Sequence, residues 1–355
     1  MTSYRMRIVL LIAVSITIII FSLSCKSVNS ESSKVAAAID SLMNQSGKPF
    51  NGIILIAKED KPVFFRMYGF SDLDNKVPFK KEDQFVIGSV SKQFTAAIVM
   101  QLYEKGLIDL HIPIRAYLPD LPMAWADTVT THHLLSHTHG IIALDQPVKF
   151  SAGSQYDYSQ IGYDLLAKIS EKVSGKSFNE LSAELFRSCG MNNTFHPDRK
   201  EYRNLVKGYD ENENKALIYS DESLKQYPAA GAFISSAFDL LLWNQYFFGD
   251  RLLKPETLAL ITEKKEKAVR DHPIFGYTEY GYGITVANGN NIIQWGQTGY
   301  APGFVSMNFY FPQTKTSAIV LENVCYSTDD IKETFFYHNA ILDIIKEQQK
   351  NGNEF

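Results

Sequence analysis

The chain has 355 residues, 45% of them hydrophobic and 13% aromatic, with a formal net charge of −4. That apolar content suffices for one large domain or two intimately packed lobes and excludes a disordered chain. With 35 basic against 39 acidic side chains, no basic balance points to nucleic acid as a partner.

Arg5 and Arg7 precede an apolar run from Ile8 to Phe21, broken only by Ser15 and Thr17. This reads as an export signal over residues 1–24. The run is short for a membrane-spanning helix, although a tilted, uncleaved anchor stays open. Ser22-Leu23-Ser24-Cys25 resembles a bacterial lipoprotein cleavage site, with the leucine one position from its usual place. Cleavage before Cys25 and acylation of its thiol would hold the protein on a membrane, facing the periplasm or the cell exterior. Simple secretion is the alternative. Residues 25–33 are polar and serine-rich, a tether, and residues 34–350 are the expected catalytic domain.

Val35 to Met43 reads as a helix with Val35, Ile39 and Leu42 on its apolar face. Gly52 to Ala57, a turn from Lys58 to Pro62, and Val63 to Phe70 read as a β-hairpin. An amphipathic helix follows Ser89, with Phe94, Ile98, Gln101 and Leu102 on one stripe and Gly106 as its stop. Ile161 to Val173 and Ser236 to Phe248 are further helices, the second capped by Ser236. Strands return in the last third. Gly283 to Ala287 alternates, Asn288-Gly289 predicts a tight turn, and Ile292 to Trp295 runs back. Phe304 to Phe311 and Ser317 to Glu322 follow, and Asp329 to Lys346 is a closing helix. The expected class is α+β: an antiparallel sheet built from both termini, flanked by helices, with a mainly helical insertion. The α/β lobe would take residues 34–105 and 275–350, and the helical lobe residues 106–274.

Ser89-Val90-Ser91-Lys92 carries the most chemistry. A Ser and a Lys three apart at a helix start share one face. The hydroxyl becomes nucleophilic when a neighbouring base takes its proton, and a lysine can be that base if burial lowers its pKa. Alone, the pattern recurs on helix surfaces without meaning. Here an apolar run precedes it and Gly88 permits close backbone approach.

Several segments together resemble the serine β-lactamase and penicillin-binding-protein superfamily, in its class C, D,D-peptidase and esterase branch. They are Ile87 to Thr95, Gly106 to Leu110 with Tyr117-Leu118-Pro119, Leu134 to Gly140, Tyr156 to Tyr163, Gly190 to Thr194, Ala230 to Ser236 and Gln297 to Phe304. The resemblance runs in order from about residue 34 to 345 and implies a β-lactamase/transpeptidase-like fold. It makes Ser89 the nucleophile, Lys92 its proton acceptor, and Tyr158 a proton shuttle to the leaving group. It places the backbone N–H groups of Ser89 and Tyr300 in an oxyanion hole. Gln160, Gln297, Thr298 and Gly299 would line the substrate site.

Two residues depart from the family pattern. Gln160 stands where an asparagine is usual, and its extra methylene shifts the amide by more than about an ångström. Gln297 stands where a lysine or histidine is usual, which removes a cation that would bind a substrate carboxylate. Both departures count more against an efficient β-lactamase than against an acyl hydrolase.

His133 and His137 are four apart, but Leu134, Leu135 and Ser136 lie between them and no third ligand is evident. No metal or cofactor is expected. Cys189 and Cys325 read as buried thiols rather than a pair. The expected function is an exported serine hydrolase that cleaves an amide or ester, D,D-peptidase-like or esterase- and peptidase-like. Its partner would be a small peptide, ester or cell-wall-derived substrate. A weak β-lactamase and a non-catalytic cell-envelope peptide-binding protein of the same fold are the alternatives.

Overall fold

The computed structural model describes residues 34–350 apart from 45–46, 199–201, 221, 225–226, 273 and 290–291. The expected signal, Cys25 and the tether lie outside the described residues. The main sheet has eight strands. Two come early, β1 (Gly52–Lys58) and β2 (Lys61–Tyr68). Six come late: β3 (Val269–His272), β4 (Gly276–Tyr280), β5 (Thr285–Gly289), β6 (Ile292–Ala301), β7 (Phe304–Phe311) and β8 (Thr316–Glu322). Their spatial order is β2-β1-β8-β7-β6-β5-β4-β3, with antiparallel neighbours throughout. The two ends of the domain therefore meet at β1 and β8, where Gly52 faces Glu322 and Lys58 faces Thr316.

The near-continuous apolar runs of β1 and β8 follow from cover on both faces. Alternate side chains serve two cores. Ile53, Leu55, Ile319 and Leu321 face the larger one, with Phe94, Val99, Leu240 and Trp243 from the inserted helices. Ile54, Ile56, Ala318 and Val320 face the other, closed by Val35 and Ile39 of α1 (34–44) and by Ile341, Leu342 and Ile345 near the C-terminus. Each such large side chain contributes about 1.5–3 kcal/mol on burial.

The insertion carries α2 (Ser91–Glu104), α3 (Thr131–Leu135), α4 (Ile161–Ser174), α5 (Phe178–Ser188), α6 (Pro228–Gly231), α7 (Ala237–Phe247) and α8 (Pro255–Thr262). Two of its strands, Gly208–Glu211 and Leu217–Ser220, form a small sheet with Val324–Cys325, which follows β8 in the chain. Helix α2 is buried on every side from Ser91 to Met100, more completely than a single apolar stripe predicts. Ser236 caps α7 by accepting from the Asp239 backbone N–H.

Three local expectations shift. The hairpin turns at Glu59 and Asp60, both left-handed with φ 46° and 68°, so Pro62 lies in β2 rather than in the turn. That strand is a sheet edge, where a missing N–H costs nothing. Asn288 and Gly289 are the last paired residues of β5, opposite Ile293 and Ile292, not a turn. The closing helix is broken at Phe335 into α9 (Ile331–Thr334) and α10 (Phe336–Lys350).

Candidate active site

Ser89 sits in a single tight turn, Gly88–Val90, that leads into α2. Gly88 has φ +50°, and a Cβ there would lie 2.5 Å from the Tyr300 nitrogen. Only glycine combines that backbone with so close an approach. Strand β6 is pressed onto the turn from outside: a Cβ on Gly299 would lie 2.1 Å from the Ile87 carbonyl oxygen. The Ser306 hydroxyl, on β7, donates to the same oxygen at 2.7 Å. Ser89 and the Tyr300 backbone are thus held side by side by two glycines and a serine.

Lys92 is one turn further along α2 and has no exposed surface. Its Nζ lies 3.2 Å from Ser89 Oγ, 2.5 Å from Gln160 Oε1 and 2.8 Å from the Ala230 carbonyl oxygen. Burial pushes its pKa below the usual lysine range; Arg270 adds to the effect, and Tyr158 and Asp164 oppose it. A neutral amine has two N–H bonds and one lone pair. In that form the carbonyls of Gln160 and Ala230 would take both hydrogens and the lone pair would be open to the Ser89 Oγ proton. Helix α6 is pinned to α2 by a second contact, Thr95 Oγ1 to the Ala229 carbonyl at 2.5 Å.

Tyr158 comes from the loop before α4. His137 braces that loop from below. Its backbone is left-handed at φ 57°, its carbonyl accepts from Asp157 N–H at 2.9 Å, and its Nδ1 accepts from Ser159 N–H at 3.2 Å. The His137 ring stands 4.4 Å from that of Tyr158, and burial holds it neutral, well below the usual histidine range. Gln297 Nε2 donates to the hydroxyls of Tyr158 at 3.2 Å and Tyr280 at 3.3 Å. Its Oε1 accepts from Thr285 at 3.0 Å. Two nitrogen-bearing groups flank the Tyr158 ring, Lys92 Nζ at 4.7 Å and the Arg270 guanidinium Cζ at 5.2 Å from its centroid.

Residues 35–341 match the sequence model of the family described as Beta-lactamase. The chain belongs to that family. The β-lactamase-family chain is 25% identical over 294 residues to a putative penicillin-binding protein of Bacillus subtilis, covering 78% of this chain and 71% of that one. It is 26% identical over 216 residues to a teichoic acid D-alanine hydrolase of Staphylococcus aureus, covering 54% of this chain and 52% of that one. Its fold matches that of a D-amino acid amidase from Ochrobactrum anthropi with a TM-score of 0.75 and 19% identity, covering 89% and 99% of the two chains. The family and its structural neighbours are serine hydrolases, and this chain is one of them.

The fold of this family member brings together Ser89, Lys92, Tyr158, Gln160, Gln297, Gly299 and Tyr300, drawn from three separate parts of the sequence. Thr298 follows Gln297 on β6 and is buried. The shift expected from the extra methylene of Gln160 does not part it from the site, since its amide oxygen reaches Lys92. His133 and His137 do not converge: His133 Nδ1 turns to the Thr130 backbone N–H, while His137 is sealed beneath Tyr158. Cys189 and Cys325 are separate buried thiols. Sequence reasoning missed Arg270, Tyr280, Thr285 and the Ala230 carbonyl. A carbonyl carries no residue signal, and Arg270 stands in a Lys- and Glu-rich stretch that reads as solvated surface.

Proposed function

We propose that this protein is an exported serine hydrolase that cleaves an amide or ester through an acyl-enzyme on Ser89, with D,D-peptidase-like or esterase-like activity. The single observation that carries the reading is the placement of Lys92. Its buried Nζ is held by the Gln160 and Ala230 carbonyl oxygens at 2.5 and 2.8 Å and lies 3.2 Å from Ser89 Oγ. Ser89 Oγ attacks the substrate carbonyl carbon while its proton passes to Lys92 Nζ. The carbonyl oxygen becomes an anion between the N–H groups of Ser89 and Tyr300, which is where the largest stabilisation of the transition state arises. Tyr158 gives its proton to the leaving nitrogen or oxygen and regains one from Lys92. Water then attacks the Ser89 ester by the same steps in reverse. The likeness to a teichoic acid D-alanine hydrolase supports a cell-envelope substrate with a small acyl group. The charged start and apolar run before Cys25 support export and lipid anchorage.

The test is intact mass spectrometry of the signal-free protein after incubation with a penicillin, a p-nitrophenyl ester and a D-aminoacyl anilide, with Ser89→Ala in parallel. A Ser89-dependent adduct or turnover with any of them supports the acyl-enzyme. Turnover that persists in Ser89→Ala removes it. Binding without adduct or turnover favours the non-catalytic reading. Radiolabelled-palmitate incorporation that Cys25→Ala abolishes would establish the anchor.

A further inference from the structure

The face of the main sheet that packs on α10 holds a cavity of about 470 Å³, a volume in the range of small-molecule sites. Ile292 and Gln294 line it from β6. Side chains alternate along a strand, so these two lie on the face opposite Gln297 and the catalytic cleft. Ile292 and Phe275 form its apolar wall, in the same core as Ile341, Leu342 and Ile345 of α10.

The polar groups of this cavity are not matched to one another. Gln294 is 1% exposed, and its Oε1 is buried without a hydrogen-bond donor. An acceptor left in that state costs free energy until a donor arrives. Lys346 and Lys350 line the cavity from α10. They are four positions apart, so their side chains are neighbours on the helix. Among the described residues, neither is ion-paired. Burial lowers the pKa of Lys346; Asp343 opposes the effect and Lys350 adds to it. A third lysine at the rim, Lys264, is already bonded to Glu279 at 3.1 Å, so that pair adds no net charge. What remains is two unneutralised ammonium groups, one unused acceptor and an apolar wall.

That set selects a ligand chemistry. Two lysines act as point charges and suit a phosphate, whereas a carboxylate is matched best by the fork of an arginine. A phosphate monoester carries about −1.5 to −2 at neutral pH, which balances two ammonium groups. The Gln294 oxygen calls for a hydroxyl donor close to the phosphate. We propose that this cavity is a second ligand site, for a phosphate monoester with a neighbouring hydroxyl, of the glycerol phosphate or sugar phosphate kind. Phe275 and Ile292 take its apolar part, which is the chain of a lipid or the ring face of a soluble sugar. The site is separate from the acyl-transfer chemistry and does not rest on Ser89.

Isothermal titration calorimetry of the signal-free protein tests it. The probes are 1-O-octylglycerol 3-phosphate below its micelle concentration, glucose 6-phosphate, phosphate-free 1-O-octylglycerol and inorganic phosphate. The octyl probes are ethers, which a serine acyl hydrolase does not cleave. At least one phosphate ester should bind with one-to-one stoichiometry, and octylglycerol should bind at least about tenfold more weakly than its phosphate, as expected for charge-assisted hydrogen bonds. Tighter binding of the octyl phosphate assigns the ligand to a lipid, and tighter binding of glucose 6-phosphate to a soluble ester. The double variant Lys346→Gln, Lys350→Gln should weaken binding by at least about tenfold. Gln294→Met keeps nearly the same volume without the acceptor and should weaken it by about threefold or more. Lys350 is exposed, so Lys350→Gln alone tests the charge without disturbing the core. Ser89-dependent turnover and Tm should stay close to the parent values in Lys350→Gln and Gln294→Met. No binding of either phosphate ester, binding undiminished in the lysine variants, or equal affinity for inorganic phosphate overturns the site. None of these results bears on the hydrolase reading.

Discussion

Gln160 Oε1 accepts a 2.5 Å hydrogen bond from Lys92 Nζ across 68 residues of sequence. Glutamine carries this oxygen one methylene further from its backbone than the asparagine usual at this place in the family. Restoring the asparagine should therefore harm this enzyme. Gln160→Asn should lower kcat/KM about tenfold, since losing one hydrogen bond to a charged or polarised group costs about 1.5–3 kcal/mol. Steady-state kinetics on whichever probe ester proves active checks it. An unchanged or raised kcat/KM would show that Lys92 is oriented by Ala230 alone.

Lys92 itself couples activity to instability. Its folded pKa lies below the ordinary 10.5, with burial as the first cause. Between that lowered value and 10.5, the unfolded chain binds a proton that the folded chain does not, so folding stability rises with pH across this window. At neutral pH the lysine is a cost. Lys92→Met should abolish turnover while raising Tm, about 2 °C for each 1 kcal/mol recovered in a domain of this size. Differential scanning calorimetry beside an activity assay is the check. A Tm below that of the parent protein would show that the three hydrogen bonds of Lys92 outweigh its desolvation.

The Ser89 turn makes a steric prediction. Gly88→Ala adds a Cβ 2.5 Å from the Tyr300 nitrogen at a left-handed φ of +50°. The backbone strain alone costs about 1–2 kcal/mol. Relief of the clash must part β6 from the turn, which spreads the two N–H groups assigned to the oxyanion hole. Activity should fall by at least about 100-fold, comparable to loss of one oxyanion donor. The folded protein should persist, and circular dichroism would confirm it.

These residues were legible in unequal degrees. Ser89 and Lys92 could be paired from spacing alone because a helix puts positions three apart on one face. Tyr158, Gln160 and Gln297 could be placed only by the order of several segments along the chain, since their contacts join residues more than 60 positions away. Arg270 was not legible. What brings it to Tyr158 is its place on a sheet edge, and a strand of Val, Arg, Asp and His has no apolar alternation to announce it. The same holds for the turn expected at Asn288-Gly289. Asn290-Asn291 follows directly, both dipeptides suit a turn, and only the pairing of Val286 with Trp295 selects the register.

Acid stability is set by buried histidines, His137 beneath Tyr158 among them. Burial holds His132, His139 and His196 down to about 4, and His272 and His338 down to about 3. Each has a lower pKa folded than the ordinary 6.5. The unfolded chain binds their protons first, so stability is lost as pH falls from about 6.5 toward 3. Glu322 has the opposite sign. It is buried 3.9 Å from His338, with a pKa raised well above the ordinary 4.5 by desolvation. Its contribution is complete below 4.5 and declines as pH rises through the folded value. Glu322→Gln should therefore raise Tm at pH 8 by about 2 °C or more and change it little at pH 4.5. Thermal melts across pH check this, and equal shifts at both ends would mean that Glu322 does not titrate between them.

Gln297 links to the chemistry through Tyr158. It is 2% exposed, and its amide is committed to Tyr158, Tyr280 and Thr285. It orients the tyrosine and has no free hydrogen for substrate. Tyr158→Phe removes the proton donor and should lower kcat by about 100-fold to 10,000-fold. Gln297→Leu keeps the volume and removes the anchor, so kcat should fall about tenfold with KM nearly unchanged. The double variant distinguishes anchoring from direct substrate contact. If Gln297 acts only by holding the Tyr158 hydroxyl, its loss should cost nothing further once that hydroxyl is gone. A second, fully additive drop would instead place Gln297 in contact with the substrate.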